Sequence, residues 1–183
     1  MIISNLINSH EINLLYQLYK KNWFGTDRCE AELVKISGLN PNKLWDLVNQ
    51  MDKGKLNYIE FEKVVGCGGR RFTLLPKGER LLMVFLGIWQ FLESNRGICE
   101  AVCQSGAYSI DIILNLKSFN TPKTKSLLLR FYSEGGQIVD VENDSEVVAQ
   151  ITDYNPQAIK DILNGLYVKL TSASSEPNPP SPA

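Results

Sequence analysis

Apolar residues in the first fifty positions recur at helical spacing. Residues 11–24 set Ile12, Leu15, Leu18 and Tyr19 on one face, with Lys20 and Lys21 on the other, which predicts an amphipathic helix. A second helix is expected near 28–37, capped by Thr26 or Asp27 and buried through Ala31, Leu33, Val34 and Ile36. Gly38 ends it. Asn40 then offers a side-chain oxygen to an orphan backbone N–H, and Pro41 suits the first helical position, where no N–H partner is needed. A third helix is therefore expected over about 41–52, burying Leu44, Leu47, Val48 and Met51. Two short helices around a tight glycine-containing turn make a helix-turn-helix pattern.

The period changes over 57–75. Tyr58, Ile59, Phe61, Val64 and Val65 favour strands, Gly66-Cys67-Gly68-Gly69 interrupts, and Arg70 to Leu75 resumes, which predicts a β-hairpin with a glycine-rich tip. Pro76 stops the strand. A long helix over roughly 77–94 follows, with Leu81, Val84/Phe85, Ile88 and Phe91/Leu92 at near-heptad spacing, a stripe suited to a dimer seam. In the second half, 109–116 alternates Ile110, Ile112, Leu114 and Leu116, and 126–132, 137–141 and 146–151 read as further strands, although 146–153 also suits a helix. A last helix near 156–170 starts at Asn155-Pro156 and buries Ile159, Ile162, Leu163 and Leu166. Residues 171–183 are Ser/Pro-rich and expected to be a disordered tail.

Charge refines this picture. The net charge is -1, yet residues 1–95 hold 12 Lys/Arg against 10 Asp/Glu while 96–183 hold 7 against 10. Lys63, Arg70, Arg71, Lys77 and Arg80 face only Glu79 within 63–80, so any polyanion contact is expected in the first half. The N-terminus lacks a signal-peptide pattern, and the apolar run from Leu81 to Leu92 is shorter than the roughly 20 residues of a membrane span. The expectation is a cytoplasmic protein without a membrane partner. Its four cysteines, Cys29, Cys67, Cys99 and Cys103, are then expected to be reduced.

Catalytic patterns are not found, and the chain is read as a non-enzyme without cofactor or metal. Its one histidine, His10, stands in a terminal segment, and the sequence has no nucleophile elbow, P-loop or strand-positioned G-x-G-x-x-G. Cys99 and Cys103, spaced i, i+4, would share a face if GICEAVCQSG were helical, but a structural zinc site usually needs four ligands. Cys67 at the hairpin tip is a candidate for oxidation that would disturb a polyanion contact there. Asp140, Glu142, Asp144 and Glu146 read as a solvated turn, lacking the glycine and late glutamate of a calcium loop. Trp45 is expected to bridge the third helix to the core, and Trp23 and Trp89 to lie in it.

The run Gly68-Gly69-Arg70-Arg71-Phe72-Thr73-Leu74-Leu75-Pro76-Lys77-Gly78-Glu79-Arg80-Leu81-Leu82 resembles the second wing strand and exit helix of winged-helix transcription regulators. The glycine-rich tip is most similar to the ModE type, with LysR-type, MarR and PadR regulators sharing parts of the pattern. Thr73 stands two residues early for the L-T-P-K-G version. The resemblance covers about residues 8–95. The second half is too short for a LysR-type effector domain and differs from the molybdate-binding modules of ModE.

The resemblance over the first half and the strand and helix patterns of the second together imply an α+β fold. It comprises a winged helix (1–76), a long connecting and dimerisation-type helix (77–95), a small antiparallel sheet with a covering helix (96–170) and the tail (171–183). It also implies a homodimeric, sequence-specific transcription regulator on double-stranded DNA. Asn42, Lys43, Asn49 and Gln50 would read the major groove, with Asp46 fitting less well, while Lys63, Arg70 and Arg71 would hold backbone or minor groove. Two alternatives stand beside it: a winged-helix adaptor that docks on a protein without reading DNA, and a replication or partition initiator of a mobile element. The C-terminal module is open to a protein partner.

Overall fold

The computed structural model describes residues 9–24, 29–52, 54–65, 69–95, 99–105, 109–117, 124–132, 135–142 and 146–172. Among them are five helices, a two-stranded sheet and a five-stranded antiparallel sheet, an α+β architecture. Helix α1 (His10–Phe24) starts after Ser9, whose Oγ accepts from the Ile12 N–H at 3.2 Å and donates to Glu11 Oε2 at 2.7 Å. It buries Ile12, Leu14, Leu15 and Leu18. Helix α2 (Glu30–Ser37) begins later than expected, because Cys29 takes the cap position with extended backbone and no side-chain cap bond. Thr26 and Asp27 lie outside the described residues, and Ala31 and Ile36 are exposed rather than buried. Gly38 closes α2 in the left-handed region, at φ 68°. Helix α3 (Pro41–Met51) starts as its sequence dictates: Asn40 Oδ1 accepts from the Lys43 N–H at 2.8 Å. The four expected residues of α3 are buried.

Strands β1 (Ile59–Val64) and β2 (Gly69–Leu74) pair antiparallel, Phe61 opposite Phe72 and Lys63 opposite Arg70. Pro76 opens α4 (Pro76–Ser94). This helix is not free to serve as a dimer seam. Leu81, Leu82, Val84, Phe85, Ile88, Phe91 and Leu92 are all buried within the chain, packed against α1, the large sheet and α5 (Pro156–Ser172). The apolar stripe finds its partners inside the molecule.

The large sheet runs in sequence order: β3 (Cys99–Ser105), β4 (Ile110–Lys117), β5 (Thr124–Tyr132), β6 (Gly135–Asp140) and β7 (Glu146–Ile151). Ile112, Leu129, Ile138 and Ala149 form one transverse row on the inner face, and Ile110, Phe131, Gly136 and Ile151 another. The helical option for GICEAVCQSG is overturned, since Cys99 to Ser105 pair with Ile110 to Leu116. Cys99 and Cys103 thus stand about 13 Å apart along a strand, too far to ligate one ion. The 146–153 segment is a strand as far as Ile151. Helix α5 runs to Ser172, two residues into the expected tail, and 173–183 lie outside the described residues.

The core is continuous from Ile12 in α1 to Leu163 in α5, so α4 joins the two halves rather than separating two cores. Gly87 of α4 permits the closest approach: a Cβ there would lie 2.5 Å from the Pro156 carbonyl oxygen. Tyr58, just before β1, donates its hydroxyl to the Tyr132 carbonyl at 2.8 Å and ties the hairpin base to β5. No helix among the described residues is long and apolar enough to cross a membrane.

Candidate nucleic-acid interface

The outward face of α3 carries Asn42, Lys43, Asp46 and Asn49, all exposed; Gln50 is half-buried. The burial of Leu44, Leu47, Val48 and Met51 fixes that orientation, because a helix that buries one stripe must present the opposite one. Lys43 and Asp46 balance, so the face itself is polar and neutral.

The positive charge comes from the hairpin. Strand alternation puts Phe61, Lys63, Arg70 and Phe72 on one side. That side meets Trp45 of α3, whose ring centroid is 5.5 Å from that of Phe61 and 5.6 Å from that of Phe72. The Arg70 guanidinium lies over the Trp45 ring, 4.1 Å from its centroid, and 5.5 Å from that of Phe61. Such a cation–π contact is worth about 0.5–2 kcal/mol, rising with desolvation. Trp45 is itself held: its Nε1–H donates to Glu30 Oε1 at 2.7 Å. Glu30 comes from the first turn of α2, beside Gly69, where a Cβ would lie 3.0 Å from its Oε2. Three segments thus fix one arginine at the edge of α3.

Arg70 and Arg71 do not act together. Arg71 points to the other side of the hairpin and faces Glu62 across the strands at 3.8 Å, with side chains 41% and 65% exposed. An exposed pair of this kind is worth little. Arg71 also joins Cys29 in an isolated antiparallel bridge beside β2. Lys63 is exposed opposite Arg70, two cations in register without an intervening carboxylate in the pairing. The structure therefore sets Arg70, with Lys63 in register opposite it, at the Trp45 edge of α3, presents Asn42, Lys43 and Asn49 on the exposed face of that helix, leaves Gln50 half-buried, and sends Arg71 to the other side of the hairpin.

Trp45 packs as its sequence position suggests, but no spacing in the sequence signals that it seats Arg70 or that Glu30 orients it. Lys20 on α1 is exposed and lies over Tyr16, 5.5 Å from the ring centroid. The side chains of Lys21 and Trp23, and all of Cys67, fall outside the described residues.

The cysteines depart from the expectation of four reduced thiols. Cys29 is disulfide-bonded, and Cys103 is free. Burial pushes the Cys103 thiol up to about 12, a Ser9 hydrogen bond opposing and the Glu11 and Asp111 carboxylates adding. Among the described residues no cluster of His, Cys, Asp or Glu is arranged to hold a metal. No protein-family model, curated protein or solved structure matches the chain.

Proposed function

We propose that the chain is a winged-helix protein that binds double-stranded DNA and regulates transcription. In this reading α3 is the recognition helix, β1 and β2 form the wing, and the Cys29–Arg71 bridge is the short third strand position beside it. The observation that carries the reading is Arg70 fixed over Trp45, a wing cation delivered to the edge of the recognition helix. Asn42 and Asn49 offer amide groups that pair with adenine edges, and Lys43 reaches guanine or phosphate. Lys63 and Arg70 contact the flanking backbone, where two like charges in register gain from an intervening phosphate. Two copies on a palindrome would meet through a surface other than the buried stripe of α4.

The neutral face of α3 favours the second reading, a winged-helix adaptor that docks on a protein. Selection from a randomised duplex pool, followed by titration across a salt series, separates the two. Wild type is expected to enrich a site, and Arg70→Ala to flatten the salt slope by about one phosphate contact, while Arg71→Ala changes it less. Absence of enrichment, with weak binding identical in all three proteins, would overturn DNA reading and leave the adaptor.

A further inference from the structure

A cavity of about 300 Å³ opens where the two halves of the chain meet. Its walls are the residue before β1 (Tyr58), the first turns of α4 (Lys77, Arg80), the paired ends of β5 and β6 (Tyr132, Gly135) and the exit of β7 (Gln150, Tyr154). The volume lies at the lower end of the range for small-molecule sites. Its chemistry is uneven. Two cations stand one helical turn apart on α4, three tyrosines stand among the other lining residues, and none of the described lining residues is acidic.

The walls are pre-formed rather than soft. Helix α4 starts clamped to the hairpin base: a Cβ on Gly78 would lie 2.5 Å from both the Tyr58 carbonyl oxygen and Leu74 Cδ1. Leu75 caps α4 without a side-chain acceptor, and its N–H is used on the Tyr58 carbonyl at 2.9 Å. The Tyr58 hydroxyl is engaged by the Tyr132 carbonyl, and burial holds that phenol neutral by raising its pKa well above the ordinary value. At the start of β6 Gly135 sits at φ 106°, a conformation that side chains rarely adopt, so bare backbone faces the Tyr154 hydroxyl there, a Cβ being 4.0 Å from it.

We infer that this cavity binds a small planar anion, an aromatic or heteroaromatic ring bearing a phosphate or carboxylate. The acidic group sits on Lys77 and Arg80, the ring lies against Tyr132 and Tyr154, and the Gln150 amide hydrogen-bonds the ring edge. Because the hairpin base and the start of α4 form two of the walls, the ligand bridges the DNA-facing half to the large sheet. The binding claim itself stands apart from DNA reading, since it is tested without DNA.

The test is a titration of the full chain with phenyl phosphate and with benzoate, followed by calorimetry and by backbone amide NMR shifts. Benzyl alcohol and inorganic phosphate serve as controls. At least one of the two aromatic anions should bind saturably, with shifts centred on Lys77, Arg80, Gly135 and Gln150, and which one binds identifies the acidic group. Arg80→Gln should weaken binding about tenfold, the scale of one charge-assisted hydrogen bond. Thr152→Trp, a change at an exposed lining residue, should block entry. Both positions are exposed, so unchanged melting temperatures will show that the fold persists. The proposal is overturned if neither anion saturates, if Arg80→Gln and Thr152→Trp bind like wild type, or if benzyl alcohol or inorganic phosphate binds as tightly as the aromatic anions.

Discussion

Gly87 sets the distance between α4 and α5, and replacing it with alanine measures how rigid that contact is. An alanine Cβ would stand 2.5 Å from the Pro156 carbonyl oxygen and 2.8 Å from Ile159 Cβ. Ordinary contact begins near 3.4 Å, so α5 must retreat by roughly 1 Å. The obstructing atom is backbone, so no rotamer change relieves it, and the retreat strains the packing of Ile159 and Leu163. Overpacking of this kind costs about 1–3 kcal/mol, and a backbone obstacle places it in the upper part, about 2–3. Alanine in a helix returns about 1 kcal/mol over glycine. The net expectation is a loss of about 1–2 kcal/mol, which for a chain of this size lowers Tm by roughly 2–8 °C.

Gly165, in α5, supplies the internal control. Nothing lies within 4 Å of its Cβ position, so Gly165→Ala carries the propensity gain without the clash. It should raise stability by up to about 1 kcal/mol. Urea unfolding followed by circular dichroism gives both values, and their difference isolates the overpacking cost at about 2–3 kcal/mol. If Gly87→Ala proved as stabilising as Gly165→Ala, the close approach of α4 and α5 would be refuted.

Three further outcomes follow from single contacts. Asn40→Ala removes the cap on α3 and should cost about 1 kcal/mol, with Asn40→Asp largely restoring it; a cost within error of zero in urea unfolding would contradict the 2.8 Å bond. Tyr58→Phe deletes the hydroxyl that joins the hairpin base to β5 and should cost about 1 kcal/mol by the same measurement, whereas unchanged stability would mean the bond is not made in solution. For Cys103, folding favours the neutral thiol, so its contribution is intact below the ordinary value of 9.0 and lost as pH climbs towards about 12. The urea midpoint of wild type should therefore fall faster than that of Cys103→Ala above pH 9, and parallel curves would refute the desolvation of this half-buried thiol.

What the sequence made legible was local. Gly38, Asn40-Pro41 and Pro156 mark helix ends through their own backbone chemistry, and the alternation of Ile110, Ile112, Leu114 and Leu116 fixes the inner face of β4. What it hid was the identity of partners. The apolar stripe of α4 fits a dimer seam and an internal core equally, because periodicity states that a face is buried without naming what buries it. Cys99 and Cys103 share a face on a helix and on a strand alike, since four residues is near one helical turn and also an even step. The grouping of Glu30, Trp45 and Arg70 draws on α2, α3 and β2, and no spacing in the chain encodes it.

The adjacent arginines show how the hairpin divides a basic run between its two faces. Consecutive residues of a strand face opposite sides, so Arg70 and Arg71 separate by construction. Arg71 meets Glu62 and is neutralised within the hairpin. The next row sets Lys63 opposite Arg70, and like charges in register destabilise a strand pair by some tenths of a kcal/mol. A hairpin selected for stability alone would pair opposite signs in both rows. Here the unfavourable row is the one on the α3 side, and Arg70 is held there by Trp45 rather than left to swing away from Lys63. Fixing the guanidinium in advance removes part of the side-chain entropy that binding would otherwise cost. Under the proposed DNA-binding reading, the repulsion and the fixing together suit a row completed by a phosphate from outside the chain, with the polar face of α3 beside it.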